Sequence, residues 1–299
     1  MRVLSVTSEL FPLIKTGGLA DVAGALPAAL AREGVELRTL LPGYPAVLAG
    51  LGEARRRGTL ATVPGGPVEL LEGRGPDGTA LIVVEAPALY ARPGNPYLGP
   101  DGQDWPDNHR RFATLAWVAA WLGRAGLDGW RPDIVHAHDW QAGLAPAYLA
   151  FAGGPRPATL LTIHNLAFQG LFPAATGAEL GLPPEHLRVD GYEAWGQVGF
   201  LKAGLYYADR LSTVSPTYAR EIQSEALGMG LHGLLQARRH ELTGITNGID
   251  TTVWDPAHDP HLPAPYAADR LAGKATCKRA LQERLGLAVE PRALLLGVV

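Results

Sequence analysis

Short apolar runs alternate with amphipathic stretches along most of the chain. Residues 3–7 form a β-branched run typical of a buried strand, residues 18–33 carry apolar side chains at helical spacing, and residues 35–41 form a second run. Strand, loop, helix and strand in this order predict a βαβ unit with parallel strands. The alternation continues and predicts a doubly wound, Rossmann-like α/β domain with a parallel sheet.

The remaining elements follow from the same periodicities. Further strands are predicted at residues 134–136, 159–163, 210–214 and 242–245, and helices at 109–122, near 140–150, at 198–207, 217–227 and 275–287. Residues 55–90 hold short apolar stretches divided by Gly and Pro, which predict a small antiparallel insertion. The segment 228–233 matches GxGxxG, but it follows a helical pattern rather than a strand. We therefore interpret it as a turn between helices.

The pattern changes near the C-terminus. Residues 254–265 are rich in Pro, His and Asp, which indicates a linker, and residues 292–299 read as a buried strand. Such a strand needs neighbours and none follow, so we expect a truncated chain. The predicted domains are residues 1–253, an N-terminal α/β domain, and residues 254–299, which comprise a linker, a short helix and the first strand of a second domain.

Composition excludes several classes of protein. The 299 residues are 47% hydrophobic and 18% charged, which suffices for a large core and argues against disorder. The net charge of −3 and the lack of a basic run argue against nucleic acid or an anionic membrane as partner. Cys277 is the single cysteine, so neither an intrachain disulfide nor a thiolate metal cluster can form. With no signal-like or membrane-spanning run, a cytoplasmic protein is expected.

Polar residues follow the predicted strands at their carboxyl ends, where α/β sheets bind ligands. These residues are Ser8-Glu9 with the loop Lys15-Thr-Gly-Gly18, His136-Ala-His-Asp139, His164-Asn165 and Asn247. Ionisable and hydrogen-bonding groups at one edge of a sheet predict a cleft for a polar ligand.

Three of these features have two interpretations each. The loop at Lys15 opens a helix and could hold a phosphate, or its lysine could simply be solvated; it is not the phosphate loop of ATPases. The HxHD run at residues 136–139 is better explained by hydrogen bonds to a neighbouring loop than by a metal site, because no further ligand is evident. Tyr97 and Trp105 lie in a polar loop. Their rings could stack on a sugar, or they could be structural residues packed under the loop.

Several long segments resemble glycogen and starch synthases. They are SELFPLIKTGGLADVAGALP (8–27), LLPGYP (40–45), YARPGNPY (90–97), DWPDNHRRF (104–112), HAHDWQAGL (136–144), TIHNLAFQGLFP (162–173), FLKAGLYYADRLSTVSPTYAREI (200–222) and GITNGIDTTVWDP (244–256). The resemblance runs in order from residue 1 to about residue 287, and it identifies the chain as a member of this family.

The resemblance implies the N-terminal half of a GT-B architecture, in which two Rossmann-like domains face a cleft. It implies transfer of glucose from ADP-glucose, or UDP-glucose in some members, to the 4-hydroxyl at the non-reducing end of an α-1,4-glucan such as glycogen, with retention of anomeric configuration. No metal or organic cofactor is implied. The family motifs give the site residues, which are His164 and Asp139 as catalytic and Lys15, Gly17, Gly18, Asp21, Glu9, Tyr97 and Asn247 as substrate-binding.

The sequence departs from the family in one respect. An Arg and a Lys that stabilise the leaving diphosphate, and a Glu in a Cys-Gly segment, belong to the family's C-terminal domain and have no counterpart here. A catalytically silent glucan- or nucleotide-binding fragment is therefore the alternative function. A dehydrogenase lacks support because no dinucleotide fingerprint follows a strand. A glycoside hydrolase needs two carboxylates that flank one bond, and sequence leaves that geometry open.

Overall fold

The computed structural model describes residues 1–298 of the chain. The chain forms two compact units, Met1–Asn247 and Gly248–Val299. None of the helices described combines the length and the hydropathy needed to span a lipid bilayer.

The first unit contains all of the strands and most of the helices that the structure describes. The strands are β1 (Arg2–Val6), β2 (Glu36–Pro42), β3 (Gly52–Leu60), β4 (Val68–Arg74), β5 (Ala80–Glu85), β6 (Ile134–His138), β7 (Ala158–Ile163), β8 (Leu171–Pro173), β9 (Glu193–Ala194), β10 (Gln197–Gly199), β11 (Arg210–Thr213) and β12 (Leu242–Gly244). Its helices are α1 (Gly18–Arg32), α2 (Pro45–Ala49), α3 (Pro87–Tyr90), α4 (Asn108–Ala125), α5 (Asp139–Ala142), α6 (Leu144–Phe151), α7 (Thr176–Glu179), α8 (Phe200–Tyr207), α9 (Pro216–Glu221) and α10 (His232–Ala237), with a 3₁₀ turn at Pro184–His186.

A nine-stranded sheet organises this unit, in the order β12-β11-β7-β6-β1-β2-β5-β4-β3. All pairs from β12 to β5 are parallel, whereas β5-β4 and β4-β3 are antiparallel. The strand order reverses beside β1, which confirms the predicted doubly wound α/β fold. A second sheet, β8-β10-β9, is antiparallel.

The central strands are buried because helices pack against the sheet. Helix α4 contacts β1, β2 and β6, α6 contacts β6 and β7, and α1 contacts β2. Leu4, Val6, Leu40 and Val83 have no exposed surface. Strands that are covered in this way read as continuous apolar runs, and this pattern made them predictable.

Three element predictions need correction. The antiparallel pairing predicted within residues 55–90 is present in β3, β4 and β5, but these strands are not an insertion apart from the main sheet, because β5 also pairs in parallel with β2. The helix predicted at 140–150 is interrupted at Gly143, where an added Cβ would lie 2.3 Å from the Phe200 carbonyl oxygen. The helix predicted at 217–227 starts as expected, with the Ser215 hydroxyl accepting from the Tyr218 amide, but it ends at Glu221. Residues 228–233 lie in the turn before α10 and in its first residues, in keeping with their interpretation.

The second unit contains helix α11 (Gly273–Arg284), which agrees with the predicted helix. Residues 254–265, predicted as a linker, form turns without a helix or strand and belong to this unit. The predicted strand at 292–299 is wrong for residues 292–298, which are irregular, and Val299 lies outside the described residues. A strand requires a hydrogen-bonded neighbour, and Leu294 and Leu296 here remain exposed.

Candidate active site

A cavity of about 860 Å³ lies at the carboxyl ends of the parallel strands in the first unit. Its volume is in the range of small-molecule sites. Seven of the nine residues predicted from sequence line it, namely Glu9, Gly17, Gly18, Tyr97, Asp139, His164 and Asn247. Lys15 and Asp21 are not among the lining residues. The loops after β1, β6, β7 and β12 thus converge on one cavity.

Glu9 connects the loop after β1 with the aromatic loop. Its carboxylate accepts the Thr16 amide at 2.5 Å and the Gly17 amide at 3.2 Å, and it also accepts the hydroxyl of Tyr97. Ser8 Oγ lies 2.8 Å from the same hydroxyl. Burial, followed by the charge of Glu9, raises the pKa of Tyr97 well above its ordinary value, so Tyr97 remains a neutral donor. The carboxylate of Glu9 therefore accepts hydrogen bonds from two backbone amides of the loop that could hold a phosphate.

Asp139 fixes the turn that carries His164. Its Oδ1 accepts the backbone N–H of His164 at 2.7 Å and that of Asn165 at 3.4 Å. The residue adopts φ = +54°, a left-handed conformation that Asp tolerates better than most residues. Burial raises the pKa of Asp139 to about 7, although the two amide hydrogen bonds favour the charged form. The carboxyl group therefore titrates near neutral pH and holds the neighbouring loop, as the sequence suggested.

Neutral histidines pack beside His164, and one of them forms a hydrogen bond with its imidazole. His164 Nε2 lies 3.0 Å from His138 Nδ1, and His138 Nε2 lies 3.1 Å from Ser5 Oγ. His136 instead contacts Thr162 Oγ1 at 2.6 Å. Burial lowers the pKa of His164 to about 4, that of His136 to about 3 and that of His138 well below its ordinary value. His164 therefore offers a neutral ring at physiological pH, with its orientation fixed by His138.

Lys15 and Asp21 form an ion pair beside the cavity. The ammonium lies 2.7 Å from both carboxylate oxygens, and the two side chains are 42% and 39% exposed. Gly17 and Gly18 line the cavity, and a Cβ on either would meet no atom within 4 Å. The glycines thus leave open space in front of the start of α1, with the Lys15 ammonium nearby.

The charge of the cavity wall is uniformly acidic. Glu9, Asp104 and Asp139 line it, and no lysine or arginine does so among residues 1–298. Carboxylates stabilise positive charge and repel phosphate oxygens. The wall of this unit is therefore suited to a sugar ring that acquires positive charge and unsuited to a bare diphosphate.

Several residues that line the cavity were not predicted from the sequence. Phe168 and Trp195 line the cavity and are 63% and 57% exposed, and Asp104 also contributes. Trp195 lies in the turn between β9 and β10, two strands too short to give a periodic signal. The Trp195-Gly196 pair before an apolar run is a weak indication of a two-residue hairpin.

The buried histidines predict a loss of stability in mild acid. Their folded pKa values lie below the unfolded value of about 6.5, so their contribution is present above pH 6.5 and is lost as pH falls. Asp139 acts in the opposite direction, because its pKa is raised to about 7. Three histidines against one carboxyl leave more protons on the unfolded chain than on the folded chain below pH 6.5, so the free energy of unfolding should fall with pH by about 1.4 kcal/mol per pH unit for each net proton.

Urea unfolding between pH 5 and pH 7.5 measures this slope. We expect His136→Asn to reduce the slope by about one proton, whereas His261→Asn, at an exposed position in the second unit, should leave it unchanged. A free energy of unfolding that stays constant from pH 6.5 to 5 contradicts the neutral histidine cluster.

Comparison with known proteins places the chain in a family. Residues 2–237 match the family model of the starch synthase catalytic domain. The chain therefore belongs to the starch synthase catalytic domain family. Glycogen synthases from Rhodopseudomonas palustris (strain BisB18) and Methylocella silvestris are each 56% identical to it over its whole length. The chain spans 61% and 62% of the length of these relatives.

A solved structure shares the fold. The catalytic domain of starch synthase IV from Arabidopsis thaliana, bound to ADP and acarbose, matches with a TM-score of 0.82 and 30% identity. The match covers 96% of this chain and 59% of that one. The α/β fold described above is therefore that of a starch synthase catalytic domain over nearly the whole chain.

Proposed function

We propose that the chain provides the acceptor side of a glycogen synthase, which transfers glucose from ADP-glucose to the 4-hydroxyl at the non-reducing end of an α-1,4-glucan with retention. The observation that carries the proposal is the convergence of the family-motif residues Glu9, Tyr97, Asp139 and His164 on one cavity. The glycogen synthase relatives support the reaction, and the ADP and acarbose in the Arabidopsis structure support a nucleotide-sugar donor and a glucan acceptor.

The chemistry of the cavity fits such a transfer. Cleavage of the bond between glucose and phosphate places positive charge on the anomeric carbon and negative charge on the diphosphate. A neutral His164 can hydrogen-bond a glucose hydroxyl without opposing the positive charge, and the carboxyl groups of Glu9 and Asp139 favour it. We assign His164 and Asp139 to the catalytic machinery on this basis.

The remaining site residues are assigned to substrate binding. Tyr97, held by Glu9, and Asn247 would contact the sugar, and Gly17 and Gly18 would let a ligand approach the start of α1. Lys15 and Asp21 would lie on the donor side, with the ammonium near the donor phosphates. Residues 1–253 would act as the acceptor-side domain and residues 254–299 as the connection to a nucleotide-binding domain. A single cysteine fits a cytoplasmic location.

A chimera tests the reaction. The 299 residues replace the matching stretch of the Rhodopseudomonas palustris glycogen synthase, which supplies the rest of a full-length relative. We expect this chimera to transfer radiolabelled glucose from ADP-glucose to glycogen, with the label released by an exo-acting α-1,4-glucanase. A folded chimera that incorporates no label, beside an active parent enzyme, contradicts the proposed function.

Lys15→Gln in the chimera should raise the KM for ADP-glucose. A unit charge pair at about 4 Å is worth roughly 4 kcal/mol at intermediate dielectric, but Lys15 is partly exposed and already paired with Asp21. We therefore expect a smaller effect, about tenfold in KM. Lys15→Arg keeps the charge and should restore most of the affinity. An unchanged KM in Lys15→Gln removes Lys15 from the donor site.

A further inference from the structure

Trp195 occupies a backbone position that does not suit tryptophan. Strands β9 and β10 are joined by Trp195-Gly196, with φ = +51° and +75°. A two-residue hairpin with positive φ at both central positions favours Asn-Gly or Gly-Gly, and a bulky side chain there is strained. Strain of this kind in an exposed turn points to a role for the side chain itself.

The ring of Trp195 contributes little to the core. The residue is 57% exposed, and it lines the cavity that contains Asp139 and His164. A Cβ added to Gly230 would lie 2.3 Å from Cζ2 of Trp195, so one edge of the ring rests on the backbone of Gly230. Gly230, in the GxGxxG-like segment, thus lets the indole pack against the backbone, and this contact holds the ring at the cavity wall.

Phe168 is a second exposed aromatic residue on the same cavity. It is 63% exposed, and the neighbouring Gln169 Nε2 donates to the carbonyl of Met229 at 3.1 Å. The ring of Trp195 and the loop that carries Phe168 therefore both contact the segment 229–230. Two large apolar faces left open to solvent at one cavity, each on an anchored loop, indicate a ligand that covers them.

We propose that Trp195, assisted by Phe168, is a stacking platform for a glucose unit of the α-glucan acceptor. The proposal rests on the proposed function and adds a binding subsite to it. Pyranose rings present apolar C–H faces, which aromatic rings cover, while their hydroxyls bond to polar groups such as those of the cavity.

The charge of the wall favours a neutral glucan over a nucleotide at this platform. Glu9, Asp104 and Asp139 line the cavity, and within the described part of the chain it has no lysine or arginine. A nucleotide stacked on Trp195 would bring its phosphates towards these carboxylates, whereas a neutral oligosaccharide carries no charge to oppose them.

Binding of maltoheptaose to the 299-residue chain tests the platform without a need for catalysis. Trp195→Asn removes the ring and creates Asn-Gly, the preferred pair for this turn. We expect about tenfold weaker binding by calorimetry, from the loss of buried apolar area, with an unchanged or higher Tm. Trp195→Phe keeps an aromatic face and should recover most of the affinity. Trp254→Asn alters a 62% exposed tryptophan that does not line the cavity, and it should leave the maltoheptaose affinity unchanged.

Three results overturn the proposal. Equal maltoheptaose affinity in wild type and Trp195→Asn removes the platform and leaves the proposed function intact. A lower Tm in Trp195→Asn shows that the ring is structural. A loss of ADP affinity instead of maltoheptaose affinity assigns the ring to the nucleotide. Failure of the proposed function itself is read separately, from the lack of glucose transfer by the chimera.

Discussion

Asp139→Ala in the chimera is expected to lower kcat/KM for glucose transfer by about a thousandfold. The substitution deprives the amides of His164 and Asn165 of their acceptor, and an unsatisfied buried amide costs about 1–3 kcal/mol. It also places alanine at φ = +54°, which costs about 1–2 kcal/mol. The turn should relax and carry the His164 ring away from the sugar, so the loss falls on the transition state.

Asp139→Asn provides the matched control. It keeps an acceptor oxygen and tolerates the left-handed backbone, but it removes the charge that would stabilise the developing cation. We expect a smaller loss, about tenfold to a hundredfold, together with loss of the pH dependence near 7 that Asp139 confers. Equal activity of Asp139→Ala and wild type, measured in initial rates with ADP-glucose and glycogen, contradicts the assigned role.

The 299 residues alone should transfer glucose at least about 10⁴-fold more slowly than the chimera. The leaving diphosphate needs cationic or hydrogen-bond donors, and each such donor is commonly worth 10²–10³ in rate, as estimated from oxyanion sites. The cavity has no lysine or arginine in the part of the chain that the structure describes, and Lys15 beside it is paired with Asp21. Two missing donors would account for about 10⁴–10⁶.

The comparison requires equal molar amounts of the two proteins and the same glycogen. An inactive 299-residue chain that still binds maltoheptaose corresponds to the alternative considered from the sequence, a silent glucan-binding fragment. Turnover of the 299 residues within tenfold of the chimera contradicts the division of roles proposed here.

The sequence predicted the central strands well because their burial leaves an unambiguous signal. Residues 134–136 and 159–163 correspond to β6 and β7, and the polar residues after them reach the cavity. The pairing of β5 with β2 was missed because local apolar runs do not reveal which strand lies beside which. The wrong strand at 292–298 shows the same limit, since hydrophobicity alone does not supply a hydrogen-bonding neighbour.

Site residues could be predicted from the sequence where they lie in a family motif. Those whose place in the site depends only on the three-dimensional arrangement could not. Glu9, Tyr97 and His164 lie in long family-like segments. The exposure of Trp195 and its contact with Gly230 depend on a two-residue turn and on a segment 35 residues away in sequence. The sequence also did not show that Lys15 pairs with Asp21 and does not line the cavity.

A crystal structure of the chimera with ADP and maltoheptaose tests the central claim most directly. We predict a glucose unit in the cavity of the first unit, within hydrogen-bond distance of His164 and the loop of Tyr97, with the rest of the maltoheptaose continuing over Trp195. A glucan bound elsewhere on the protein, with this cavity empty at saturating ligand, would contradict it.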